Sequence, residues 1–139
     1  MIVALAIDDK GGMMFNKRRQ SRDKALIADL AIRSEEYGNG MIYTNEYSEP
    51  LFEDAGVSAV SVPDPLSAAG DDATVFIENL DATPYLNRID RLIIYKWNRR
   101  YPADVKLGFD PIKVGFRLDC SYDFKGMAHE KITGEVYVK

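Results

Sequence analysis

The sequence predicts an α/β fold: a three-layer, mostly parallel twisted sheet that ends in an antiparallel C-terminal hairpin. Three observations carry this expectation. The chain opens on a short apolar, β-branched run, Ile2-Val3-Ala4-Leu5-Ala6-Ile7, the composition of a strand buried on both faces. Strand-like and helix-like stretches then alternate as far as Trp97, the pattern of parallel βαβ units. The stretches Phe116–Tyr122 and Ile132–Val138 alternate apolar with polar residues, as an antiparallel pair with one wet face does.

The first strand, starting at the second residue, belongs near the centre of the sheet. Asp8-Asp9-Lys10-Gly11-Gly12 ends it with turn formers. Met13-Met14-Phe15 reads as a short continuation or a packed loop. Ser21 is the expected N-cap of the first helix, with Asp23 in the first turn, where the dipole favours negative charge. Leu26, Ile27, Leu30 and Ala31 form its apolar stripe, and Gly38-Asn39-Gly40 stops it. Met41–Thr44 is a second strand. Ser48-Glu49-Pro50 opens a helix that Gly56 ends. Val57–Val62 alternates as a strand, and Pro63-Asp64-Pro65 breaks it. Ala68–Asp72 is a loop before a buried strand at Ala73–Ile77. A short helix over Pro84–Ile89, capped by Asp81 or Thr83, precedes the strand Arg91–Trp97. Cys120 falls in the first hairpin strand and reads as a small buried residue.

The 139 residues suit a single domain, 1–139. The net charge of −4 argues against general coating of nucleic acid. The charge is uneven, however. Lys17, Arg18, Arg19, Arg22 and Lys24 form one cationic knot, and Lys96, Arg99 and Arg100 another. One cysteine forbids an internal disulfide, and one histidine forbids every poly-histidine metal centre. Asp8-Asp9 at a strand end would suit magnesium or, equally, a turn; no metal and no cofactor is expected. No apolar run approaches the ~20 residues that span a bilayer, and the N-terminus lacks a signal-peptide pattern, so the cytoplasm is the expected location.

Arg18, Arg19, Gln20 and Ser21 could grip a phosphate or carboxylate, helped by the adjoining helix N-terminus. A solvated loop is the bland alternative. Trp97, Asn98, Arg99, Arg100 and Tyr101 follow a strand, where ligands of parallel sheets sit, and interleave stacking rings with guanidinium groups. There the alternative is a partly buried aromatic staple. His129 is the only side chain that ordinarily titrates near neutrality, and it is a candidate general acid or base. No Ser-His-Asp triad or Walker loop is readable.

The order of parts resembles the dihydrofolate reductase fold. Ala4-Leu5-Ala6-Ile7-Asp8 followed by Gly11-Gly12-Met13, the helix from Ser21 to Tyr37, the strand Met41–Thr44, the pair Val75-Phe76-Ile77 and Ile89–Ile94, and the hairpin ending in Glu135-Val136-Tyr137 carry the likeness. The resemblance implies a substrate acid at the start of the first helix, for which Asp23 is the nearest candidate. It also implies a Gly-Gly pair against a nicotinamide pyrophosphate, where this chain has Glu78-Asn79. Arg18-Arg19-Gln20 stands in place of the family's Pro-Trp. The segments Met13–Ser21, Trp97–Pro102 and His129–Thr133 are also similar to a group of short uncharacterised bacterial proteins, some labelled ribonuclease Z. That label implies a zinc cluster that one histidine cannot build.

Three functional readings follow. The first is binding of a phosphorylated or nucleotide-like small molecule through the arginines. The second is a metal-independent ribonuclease or phosphodiesterase using His129 with the arginines, Asp23 being a further candidate catalytic residue and RNA the less favoured partner. The third is a non-catalytic assembly protein, a homodimer meeting through Tyr122 and Tyr137.

Overall fold

A computed structural model describes residues Met1–Lys139. The opening run forms β1 (Ile2–Ile7), followed by β2 (Gly12–Phe15), β3 (Arg18–Arg19) and α1 (Lys24–Tyr37). Then come β4 (Ile42–Thr44), α2 (Glu49–Ala55), β5 (Val60–Ser61), α3 (Pro65–Ala68) and β6 (Thr74–Phe76). A 3-10 helix (Thr83–Arg88), β7 (Arg91–Lys96), β8 (Val105–Lys106), β9 (Arg117–Phe124) and β10 (Ile132–Val138) complete the chain.

The main sheet has the order β5-β4-β6-β1-β7-β10-β9. β5, β4, β6, β1 and β7 run parallel, whereas β10 pairs antiparallel with β7 and with β9. Strand β1 is central, as its two-sided apolar composition requires. Ile2 and Ala4 pack with Leu26, Ile27, Leu30 and Phe52 of α1 and α2 on one face. Val3, Leu5 and Ile7 pack with Leu66, Ile89 and the β2 methionines on the other. These are the outer layers of the three-layer architecture. No helix is long and apolar enough to cross a membrane.

Several expectations need correction. The N-cap of α1 is Asp23, whose carboxylate accepts from Ala25 N–H at 2.9 Å, not Ser21. The helix starts later because Ser21 bonds elsewhere. The strand expected over Val57–Val62 shrinks to Val60–Ser61, since Val57 N–H closes α2 onto Phe52. Met13 and Met14 belong to a second sheet, β3-β2-β8. Its first turn is Asn16-Lys17, with φ of 51° and 62°, a type I′ hairpin lacking the usual glycine. Cys120 is exposed. Strand β9 is an edge, and only Tyr122 and Phe124 lean inward, stacking 6.0 Å apart. The Tyr122 hydroxyl donates to Asp29 at 2.5 Å, so its polar end is turned toward α1 rather than along the open edge.

Candidate functional site

The carboxyl ends of β1, β6 and β7 deliver Asp8, Glu78 and Trp97 to one end of the sheet, where open parallel sheets hold ligands. Asp8 is 2% exposed. Its Oδ1 accepts from Gly12 N–H at 2.7 Å and Lys10 N–H at 2.9 Å. Its Oδ2 accepts from Tyr101 N–H at 3.1 Å and from the Gln20 amide at 3.3 Å. Burial pushes this carboxyl up, and the converging N–H groups outweigh burial, so its pKa lies below the ordinary value. Asp8 thus ties the Gln20 and Tyr101 segments to β1, which leaves it no free lone pair for magnesium. No cluster of three or more acidic, histidine or cysteine side chains could hold a metal ion.

Glu78 accepts from Arg19 at 3.0 and 3.2 Å and from Ser48 Oγ at 2.7 Å. The Arg19 guanidinium also donates to Tyr47 O at 2.9 Å and lies 4.5 Å over the Tyr47 ring. Arg19 is therefore a committed structural cation, with its own pKa raised further above the usual value: burial lowers it, and Glu78 more than restores it.

His129 is 5% exposed, although it lies in the β9–β10 connection. Its ring stacks on Trp97 at 4.7 Å with 27° between planes. His129 Nδ1 lies 2.9 Å from Asp23 Oδ2, and Nε2 lies 2.9 Å from Ser21 Oγ and 3.4 Å from Tyr101 OH. Asp23 also accepts from Met127 N–H at 2.8 Å and Ala128 N–H at 2.9 Å. Burial raises the Asp23 carboxyl, but the imidazole and the backbone donors bring it below its ordinary value. The ionised carboxylate is acceptor-only, so Nδ1 donates, and the tautomer with its proton on Nδ1 presents a bare Nε2 to the Ser21 hydroxyl. Gly126 makes the approach feasible: a Cβ there would lie 2.5 Å from Asp23 Oδ2 and 2.8 Å from His129 O.

Outside His129 opens a hollow of about 370 Å³ lined by Trp97, Asn98, Arg99, His129, Glu130 and Lys131. Arg99 and Lys131 form no ion pair, unlike Arg19 and Arg22. Asn98, at φ 58°, fixes this rim by donating to Lys131 O at 3.2 Å and Thr133 Oγ1 at 2.9 Å. A larger groove of about 640 Å³ lies beyond β4, β5 and β6, but Glu46 and Glu49 line it and no basic residue does. The space between Asp23, Leu26, Phe76 and Trp97 is only about 20 Å³, room for no more than one water.

The structure thus gathers His129, Asp23, Ser21, Trp97 and Tyr101, and places Asn98 and Arg99 on the adjoining rim. Arg18 and Arg100 are exposed and lie outside that hollow, and Gln20 serves Asp8 and Pro102 O. Sequence reasoning missed Lys131 and Glu130 as lining residues. It also found no triad, although Ser21, His129 and Asp23 form one hydrogen-bonded chain. The separation of 108 positions between Ser21 and His129 hides it; the nearest local signal was Gly126 close before the lone histidine.

No protein-family model and no curated protein matches this chain. Among solved structures, dihydrofolate reductase from Enterococcus faecalis, complexed with NADP(H) and RAB-propyl, is similar with a TM-score of 0.60 at 12% identity. That likeness covers 99% of this chain and 95% of the reductase. The position implied for a nicotinamide pyrophosphate does not fit it: the Glu78 carboxylate stands there, already joined to Arg19 and Ser48. The chain has the dihydrofolate-reductase-like α/β fold, with an ion pair and a buried imidazole at the places where the resemblance implies cofactor and substrate.

Proposed function

We propose that this chain binds a small phosphate-bearing molecule in the hollow beside His129. One observation carries the reading. Arg99 and Lys131 line the same space and outnumber its one carboxylate, Glu130, with which neither forms an ion pair, next to a ring whose other nitrogen is anchored by Asp23. Unpaired cations around a concavity raise the local anion concentration even on an acidic protein. The volume of about 370 Å³ suits a phosphomonoester of modest size. The acidic groove beyond β4 repels the same ligand. Arg19, Glu78 and Asp8 act as the frame that holds the rim, and Arg18 and Arg100 contribute only to the surrounding field.

Thermal unfolding with inorganic phosphate and a series of phosphomonoesters tests this. Binding at 100 times Kd adds about 2.7 kcal/mol to stability, so a rise in Tm of several degrees is expected. Arg99→Ala and Lys131→Ala should each weaken it, while Arg100→Ala should not. No rise with any phosphate compound, or a rise indifferent to Arg99 and Lys131, overturns the reading.

A further inference from the structure

We infer that Ser21 is a nucleophile, activated by His129 and positioned through Asp23, for hydrolysis of carboxylic esters that carry an anionic group. The inference rests on the hollow described above only for the charge of the substrate; the nucleophile stands on separate geometry, joined to that hollow through His129, since Ser21 does not line it. Three conditions for an activated serine meet here. A base nitrogen lies within hydrogen-bond reach of the hydroxyl, at 2.9 Å. The opposite nitrogen is held at 2.9 Å by a carboxylate, which fixes the tautomer that leaves Nε2 free to accept. The carboxylate is itself immobilised by Ala25, Met127 and Ala128 N–H groups and is shielded from water. Stacking on Trp97 locks the remaining rotation of the imidazole.

Helix capping explains Asp23, but it does not explain why Nε2 meets Ser21. A buried histidine could satisfy Nε2 with any hydroxyl, and Tyr101 OH is already 3.4 Å away. Ser21 instead lies in the non-helical approach to α1, only partly buried. The backbone N–H groups of Ser21 and Arg22 donate to no acceptor within the chain, so they are available to a developing oxyanion.

The chemistry balances with water as the only co-reactant. The Ser21 proton passes to His129 Nε2 as Oγ bonds to the ester carbonyl carbon. The tetrahedral intermediate collapses, the C–O bond to the alcohol breaks, and the imidazolium proton goes to that alcohol. Water then repeats the sequence on the acyl-serine: Nε2 takes its proton, its oxygen bonds to carbon, the Oγ–C bond breaks, and the proton returns to Oγ. The released acid carries the anionic group, which Arg99 and Lys131 hold during both steps.

The test uses the whole chain and phenylmethylsulfonyl fluoride, an uncharged probe that does not need the cationic rim. Intact mass and peptide mapping should find one adduct, on Ser21, absent from Ser21→Ala. His129→Gln should slow its formation by at least 100-fold with a melting curve that still shows a folded protein. Ser21→Cys supplies an independent check: iodoacetamide should alkylate the new thiol faster than the exposed Cys120 of the same chain. No adduct on Ser21, equal labelling in His129→Gln, or slower alkylation than Cys120 each overturn the inference, whatever phosphate binding shows. With p-nitrophenyl esters, a preference for an anionic acyl group that Arg99→Ala abolishes is the expected result. Labelled Ser21 without that preference overturns the substrate class.

Discussion

Exchanging Asp23 for asparagine changes one atom and reaches every feature of the site. The carboxylate accepts four N–H bonds, two per oxygen: Ala25 and Met127 on Oδ1, Ala128 and His129 on Oδ2. An amide has one acceptor oxygen and one NH2, so in either orientation its NH2 confronts two donors. Turned toward Ala25 and Met127, it orphans two backbone N–H groups. Turned toward Ala128 and His129, it orphans one, because the imidazole can change tautomer and accept at Nδ1. A buried orphan costs about 1–3 kcal/mol, and the bonds that survive lose their charge assistance. The cheaper orientation therefore costs about 2–4 kcal/mol, or roughly 6–12 °C in Tm for a chain of this length. Urea unfolding of both proteins at neutral and acid pH measures it. The folded pKa of Asp23 is depressed, burial notwithstanding, by His129 and the backbone donors. Its contribution is complete above the unfolded value near about pH 4 and is lost as pH falls through the lower folded value. The gap between Asp23→Asn and the parent should thus be full at pH 7 and close on acidification. A gap below about 1 kcal/mol at pH 7, or one equal at both pH values, would mean that the Asp23 carboxylate does not hold these four donors as described. The same tautomer change places an N–H against Ser21, so sulfonylation should fall by roughly 10⁴-fold.

Gly126→Ala should lower Tm and Ser21 labelling together, because its Cβ would press on Asp23 Oδ2 and on His129 O, a backbone atom that cannot step aside; a cost of about 1–3 kcal/mol is expected by calorimetry, and an unchanged Tm would mean that the Asp23 contact is looser than described. A double-mutant cycle of Arg19→Met and Glu78→Gln, read by urea unfolding, should return a coupling of about 1–3 kcal/mol, since the pair is largely screened from water at 21% and 10% side-chain exposure; simple additivity would demote Arg19 to a solvated cation. Tyr37, Tyr85, Tyr95, Tyr122 and Tyr137 all have raised pKa values, burial being the largest cause in each, with Tyr37 and Tyr137 at about 12. A raised folded value contributes stability below about pH 10 and loses it as pH climbs through the folded value, so absorbance at 295 nm near pH 11 should show well under the full ionisation of the 8 tyrosines. Equal curves for native and denatured chains would contradict the network in which the Tyr95 and Tyr122 hydroxyls both donate to Asp29 Oδ2.

What could be read in the sequence was what local composition dictates. The apolar run of β1, the alternating hairpin and the glycine stops each state their structure within a few residues, so the sheet and its antiparallel end were legible. Strand β3 and its Asn16-Lys17 turn were not, because a lysine at positive φ carries no turn signal. Cys120 was misread because alternation reports a wet face without revealing that an edge strand can be wet on both. The arginines were legible as charge but not as partners: Glu78, 59 residues away, decides that Arg19 is structural, and nothing near Arg99 says that it stays unpaired. Ser21, Asp23 and His129 were each singled out, yet their assembly depends on how the β9–β10 connection folds back over α1.

That fold-back has a consequence for any ligand. Trp97 and His129 stack beside the first helix, and Asp23 spends all its hydrogen-bonding capacity on the chain itself. A free pocket acid at that depth would need a ligand's donors to offset its desolvation; here backbone N–H groups and an imidazole supply them in advance. The interior is consequently closed to all but about 20 Å³. His129 meets Ser21 through Nε2, and its ring also lines the hollow rimmed by Arg99 and Lys131, which Ser21 itself does not line. Trp97 is the side chain common to both spaces, lining the closed interior on one side and the recess on the other. Substitution of Trp97 by alanine removes a wall of both spaces and frees the imidazole to swing away from Ser21; slower sulfonylation of Ser21 and a smaller rise in Tm with phosphate are the expected results.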